Sequence, residues 1–120
     1  MSWIVGDMTF TANGALAAKV RVKITAGSTT DPPQVEVAGA GEEHIGITEF
    51  AAASGALVTV RSRKSPGIHE VTAAGAFAVG AALYGAAAGK VDDVLAGSII
   101  GYAVEAATAD GDIVRIIDHP

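Results

Sequence analysis

The sequence predicts a mainly β protein: a small barrel or sandwich of about seven strands, in one domain, with at most one short helix and an N-terminal arm. Three observations lead there. Apolar residues recur at every second position through most of the chain. Gly, Pro, Asn and Asp fall between those runs, where turns are needed. The 120 residues suffice for one ordinary domain, and no low-complexity linker, heptad or strong internal repeat divides them.

The first unit, residues 1–14, concentrates large apolar side chains: Trp3, Ile4, Val5, Met8 and Phe10. A terminus is normally frayed and polar unless something holds it. These residues therefore read as the first strand of the domain or as an arm that docks on another chain by strand addition. Residues 15–120 form the β-rich body. Lys19–Ile24 alternates Val20, Val22 and Ile24 with Lys19, Arg21 and Lys23. Gln34–Ala38 follows the Pro32-Pro33 stop. His44–Phe50, Leu57–Arg63, the short Ile68–Thr72, Ser98–Ala107 and Asp112–Asp118 complete the strands. Ala73–Ala82 is Ala-rich, but Gly75 and Gly80 would each cost about 1 kcal/mol inside a helix. One short helix or turn is the most it predicts.

Composition excludes several classes of function. The net charge is −5, which argues against a nucleic-acid partner. The absence of Cys excludes disulfides, thiolate metal sites and a cysteine nucleophile. Val71–Gly89 is uncharged for the length of a membrane span, but Ala and Gly dominate it, so no membrane partner is expected. The N-terminus lacks the basic region of a signal peptide. No metal site is expected: His44, His69 and His119 lack ligand spacing, and Glu42-Glu43-His44 would point to different sides. Asp92-Asp93 and Asp110/Asp112 flank turns and read as turn formers. Gly39-Ala40-Gly41 lacks the third Gly of a dinucleotide fingerprint, and no nucleophile elbow or Walker lysine is present. No catalytic residue and no cofactor is predicted. Six of the eight cations fall in two strands, Lys19, Arg21 and Lys23, then Arg61, Arg63 and Lys64. If those strands are neighbours, they form a basic docking patch; otherwise they are the solvated faces of two amphipathic strands. The core, built on Ala, Val and Ile, is thin, and small domains often meet that deficit by oligomerising.

The C-terminal half carries a recurring order of blocks. These are Phe77-Ala78-Val79-Gly80-Ala81-Ala82-Leu83-Tyr84, Gly89-Lys90-Val91, Ile100-Gly101-Tyr102-Ala103-Val104-Glu105-Ala106-Ala107, and Asp110-Gly111-Asp112-Ile113-Val114-Arg115-Ile116. They resemble the blocks of capsid decoration (cement) proteins of tailed phages, across residues 44–117. The resemblance implies a structural virion protein, made in the host cytoplasm, that binds the outside of an expanded icosahedral capsid. Its partners would be the major capsid protein and two further copies of itself, as a homotrimer at three-fold sites. Capsid contact would come from the arm residues Trp3, Ile4, Val5, Met8 and Phe10, with Lys19, Arg21, Lys23, Arg61 and Arg63 as a possible second docking patch. The alternative from a different class is a small β-barrel module that binds a receptor or carbohydrate, for which Trp3, Tyr84 and Tyr102 are a sparse aromatic supply.

Overall fold

The computed structural model describes residues 7–65 and 67–118. Ten short strands account for nearly all regular structure: β1 (Asp7–Ala12), β2 (Arg21–Ile24), β3 (Gln34–Val37), β4 (Gly46–Thr48), β5 (Leu57–Ser62), β6 (Ile68–Thr72), β7 (Ala82–Gly85), β8 (Val91–Asp92), β9 (Gly101–Ala103) and β10 (Ile113–Asp118). Among the described residues, only a single 3₁₀ turn, Ala87–Gly89, interrupts them. The mainly β class and the barrel architecture agree with the sequence reading. The strand count is ten rather than about seven, because β1, β7 and β8 add to the seven predicted runs. The Ala73–Ala82 stretch is not helical; it runs through turns into β7.

The strands form one closed barrel and one curled half-barrel, the second barrel. In the first, the order β1-β3-β2-β4-β5 closes on itself through the β1–β5 pair. In the second, β6-β10-β9-β7-β8 forms a curled sheet, and a parallel bridge from Ala73 to Val91 joins its edges. The pairings match strand for strand. In the first barrel, β1 is parallel to β3 and antiparallel to β5, and β2 is antiparallel to β3 and β4. The second repeats this with β6, β8, β10, β7 and β9. Registers match as well: Phe10 faces Val58 as Val71 faces Val114, and Val22 faces Gly46 as Leu83 faces Gly101. The chain is therefore a tandem repeat, contrary to the expectation of no strong internal repeat. Its trace is Thr11-Ala12-Asn13-Gly14-Ala15-Leu16-Ala17 against Thr72-Ala73-Ala74-Gly75-Ala76-Phe77-Ala78.

Each barrel has its own core, filled from alternate positions as the two-residue strand period requires. Phe10, Ala12, Leu16, Val22, Val35, Val58 and Val60 fill the first. Their counterparts Val71, Ala73, Phe77, Leu83, Val91, Val114 and Ile116 fill the second. Ile47 breaks the pattern. It belongs to β4 of the first barrel, yet it is buried in the core of the second. The outer face of β2 and β4 therefore packs on the second barrel.

Arg21 locks that contact. Its side chain is fully buried. Nε donates to the carbonyl of Lys90 at 3.0 Å and Nη2 to that of Ala86 at 2.8 Å, both in the second barrel. Nη1 donates to Glu42 at 2.9 Å and Nη2 to Gly39 at 3.0 Å, both in the loop after β3. Burial, with Arg63 nearby, lowers its pKa to about 10, so it stays charged at neutral pH. A buried cation is tolerated only when its donors are matched, and here backbone carbonyls match them. Gly85 makes the room, since a Cβ there would lie 2.8 Å from Nη1 and 2.9 Å from Cζ.

Two of the four acidic turn residues, Asp92 and Asp112, brace turns as the sequence suggested, while Asp110 pairs with Lys90. Asp112 Oδ2 accepts from Thr108 N at 2.9 Å, Thr108 Oγ1 at 2.8 Å and Ala109 N at 3.2 Å. Asp92 Oδ1 accepts from Val94 N at 3.2 Å.

Two substitutions check the lock. Arg21→Met strands several buried carbonyls and is expected to lower unfolding free energy by about 3 kcal/mol or more. Gly85→Ala is expected to cost about 1–3 kcal/mol by pressing on the guanidinium. Urea titration of both variants reads these losses directly.

Candidate docking groove

A groove of about 930 Å³ opens at one end of the first barrel. The antiparallel pairings bring there the start of β1, the end of β2, the approach to β4 and the end of β5. Its walls are Met8, Phe10, Ile24, Glu43, His44, Ile45 and Ser62–Lys64, with Ser98 and Ile99 of the second barrel on the far side. The lining is chiefly apolar with a polar fringe, as expected of a recognition site. Ile24 is half exposed there.

His44 is the unusual member. It is 5% exposed, and neither ring nitrogen has a hydrogen-bond partner. Burial, with Arg63, Arg21 and His69 nearby, lowers its pKa to about 3. The imidazole is therefore neutral at working pH, and offers one donor and one acceptor.

The matching end of the second barrel differs. His69 stands where Met8 stands in the first barrel, and Asp118 where Ser62 stands. His69 Nδ1 lies 3.0 Å from Asp118 Oδ2, and Nε2 lies 2.9 Å from the Ser65 carbonyl. The hydrogen bond to Asp118 raises the pKa of His69.

The predicted site residues separate. Trp3, Ile4 and Val5 lie outside the described residues. Met8 and Phe10 line the groove, but Phe10 is 5% exposed and belongs to the barrel core, so it is not a surface anchor. The basic residues form no continuous patch, because β4 lies between β2 and β5. Arg21 is buried and unavailable to a partner. Lys19 pairs with Glu70 at 3.4 Å and Glu49 at 3.9 Å, and Lys23 with Glu42 and Glu36. Arg63 pairs with Glu43. Arg61 sits on β5 between Asp7 and Ile47 in register. Strand alternation could assign faces, but it could not reveal that acids would pair with Lys19, Lys23 and Arg63. Sequence reasoning noticed His44 only as a poor metal ligand; among the described residues no cluster of three or more His, Asp or Glu side chains could hold a metal ion. No described helix is long and apolar enough to cross a membrane.

Comparison with known proteins adds the decisive observation. A profile of phage cement proteins matches residues 3–117. The chain belongs to the phage cement protein family. Cement proteins are structural components of the phage virion that associate with its capsid, and the capsid-associated role follows from membership. No characterised protein of similar sequence matches. Among solved structures, the N base of head fiber gp8.5 from bacteriophage phi29 superposes with a TM-score of 0.80 at 20% identity. The match covers 94% of this chain and 92% of that one, and shows a shared fold.

The two histidines set opposite pH limbs. His44 has a lowered pKa, so its contribution is lost as pH falls from the ordinary 6.5 toward about 3. His69 has a raised pKa, so its contribution is complete below 6.5 and is lost as pH rises through its folded value. Glu42, Glu105 and Asp112 are lowered from 4.5, 4.5 and 3.8 and act at lower pH. Urea midpoints against pH are expected to show both limbs. His44→Gln should flatten the fall between pH 6.5 and 4.5, and His69→Gln the fall above 6.5.

Proposed function

We propose that this cement protein binds the outside of an expanded icosahedral capsid and clips neighbouring capsomers together, as a homotrimer at three-fold sites. The reading rests on the family match across residues 3–117. Its partners are the major capsid protein and two further copies of the chain. It works by multivalent burial rather than by catalysis, and it needs no cofactor. Each protomer holds a different capsid subunit, and linkage through the trimer turns individually weak contacts into a lasting clamp. Capsid contact is assigned to the segment ahead of β1, with Trp3, Ile4 and Val5 as apolar anchors of the kind that dominate interfaces. Met8 would support them from the groove wall.

Co-sedimentation with expanded capsids stripped of this component tests the reading. Saturable binding in multiples of three copies is expected, with loss on deletion of residues 1–6. Decorated capsids should retain packaged DNA to a higher temperature than bare ones. Binding that survives the deletion would move the contact onto the barrels. No binding at any salt concentration would refute the capsid role.

A further inference from the structure

We propose that copies of this chain associate head to tail: the outer face of one copy's second barrel seats in the groove at the mouth of the next copy's first barrel. The tandem repeat carries the argument. Within one chain, the outer face of the first barrel already closes the corresponding end of the second. Ile47 enters its core, and the Arg21 guanidinium rests on Gly85 beneath the Ala86 and Lys90 carbonyls. Register fixes the counterparts of that plug. Tyr102 corresponds to Ile47, Ile117 to Arg61, Ile68 to Asp7 and Ala82 to Arg21.

On the second barrel, these residues make one cross-strand row over β6, β10, β9 and β7. Ile68, Ile117 and Tyr102 are 44, 51 and 41% exposed. Three large apolar side chains in register on a solvent face form an interaction surface. The socket also has its counterpart. Ile24 takes the position of Gly85 and Ile45 that of Ile100, and both line the open groove.

Each chain thus uses one plug and one socket internally and leaves the other face exposed and the other groove open. The chemistry of the free pair is altered consistently. Ala82 replaces the Arg21 side chain, and Ile24 adds bulk where Gly85 had to leave space. A guanidinium needing carbonyls is exchanged for apolar contact. The face and groove are different surfaces, so the contact is heterologous and closes into a ring or propagates. Closure at three copies rests on the trimer reading above; the contact itself does not require a capsid.

Light scattering and sedimentation velocity on Ile117→Lys and Ile24→Lys test the proposal. Both side chains are half exposed, so the variants should fold, which circular dichroism checks. Wild type is expected at three times the chain mass and each variant at the mass of one chain. A one-to-one mixture of the variants should give dimers, because one intact plug meets one intact socket. Wild-type monomers at hundreds of micromolar, or a mixture that stays monomeric, would overturn the proposal. Association that appears only after deletion of residues 1–6 would overturn it too, by giving the groove to the chain's own N-terminal segment. So would an Ile24→Lys variant that keeps the wild-type mass but loses capsid binding, which would give the groove to the capsid. Failure of capsid binding with wild-type association intact would refute only the capsid reading.

Discussion

A single buried guanidinium sets the geometry of the molecule. Arg21 carries a charge into a region without solvent, at a cost that only matched acceptors offset. Its acceptors are backbone carbonyls from two places far apart in the chain, 39–42 and 86–90. Satisfying them requires the loop after β3 and the 3₁₀ turn after β7 to meet. Gly89 sits at that meeting, with a φ of +73° and Arg21 O and Val37 within 3 Å of where a Cβ would be. Each half has a small core of mostly short aliphatic side chains around one Phe and one Leu, and the shared buried surface joins them into one body. For a small-residue protein this substitutes geometry for bulk.

The same repeat is put to two uses. One barrel end is closed by its neighbour and by the His69–Asp118 pair, while its counterpart holds Met8 and Ser62 and stays open. One outer face is buried, while its counterpart is exposed and apolar. Duplicating a fold and then differentiating the two copies supplies complementary surfaces. Such surfaces suit the self-association proposed for this chain.

Much of the strand pattern was legible, because alternation follows directly from the pleat. Lys19–Ile24 and Leu57–Arg63 both contain strands within a residue or two of the expected bounds. Alternation does not say what covers each face. Arg21 occupies an outward position on β2, and nothing in Lys-Val-Arg-Val-Lys-Ile separates it from its solvated neighbours. Strand order was equally hidden: the sequence leaves open whether the two basic strands are neighbours, and β4 divides them. The strands β7 and β8 lay within an Ala-Gly stretch whose periodicity is faint. The repeat escaped notice for the same reason: its shared positions are mostly Ala and Gly. Functionally equivalent residues also differ in kind, as where Lys19 takes the left-handed conformation held by Gly80 in the second half. The role of His44 depends on burial without partners, which a sequence does not display.

In the proposed assembly, a doubled barrel presents its exposed plug and open socket to its own copies while its N-terminal segment engages the capsid. A cryo-electron microscopy reconstruction of decorated capsids, at side-chain resolution, tests this most directly. The account requires Tyr102 and Ile117 of one copy to be buried against Ile24 and Ile45 of the next, with density for residues 1–6 on the capsid protein. Copies that stand apart with both surfaces open to solvent, or that meet through any other face, would contradict it.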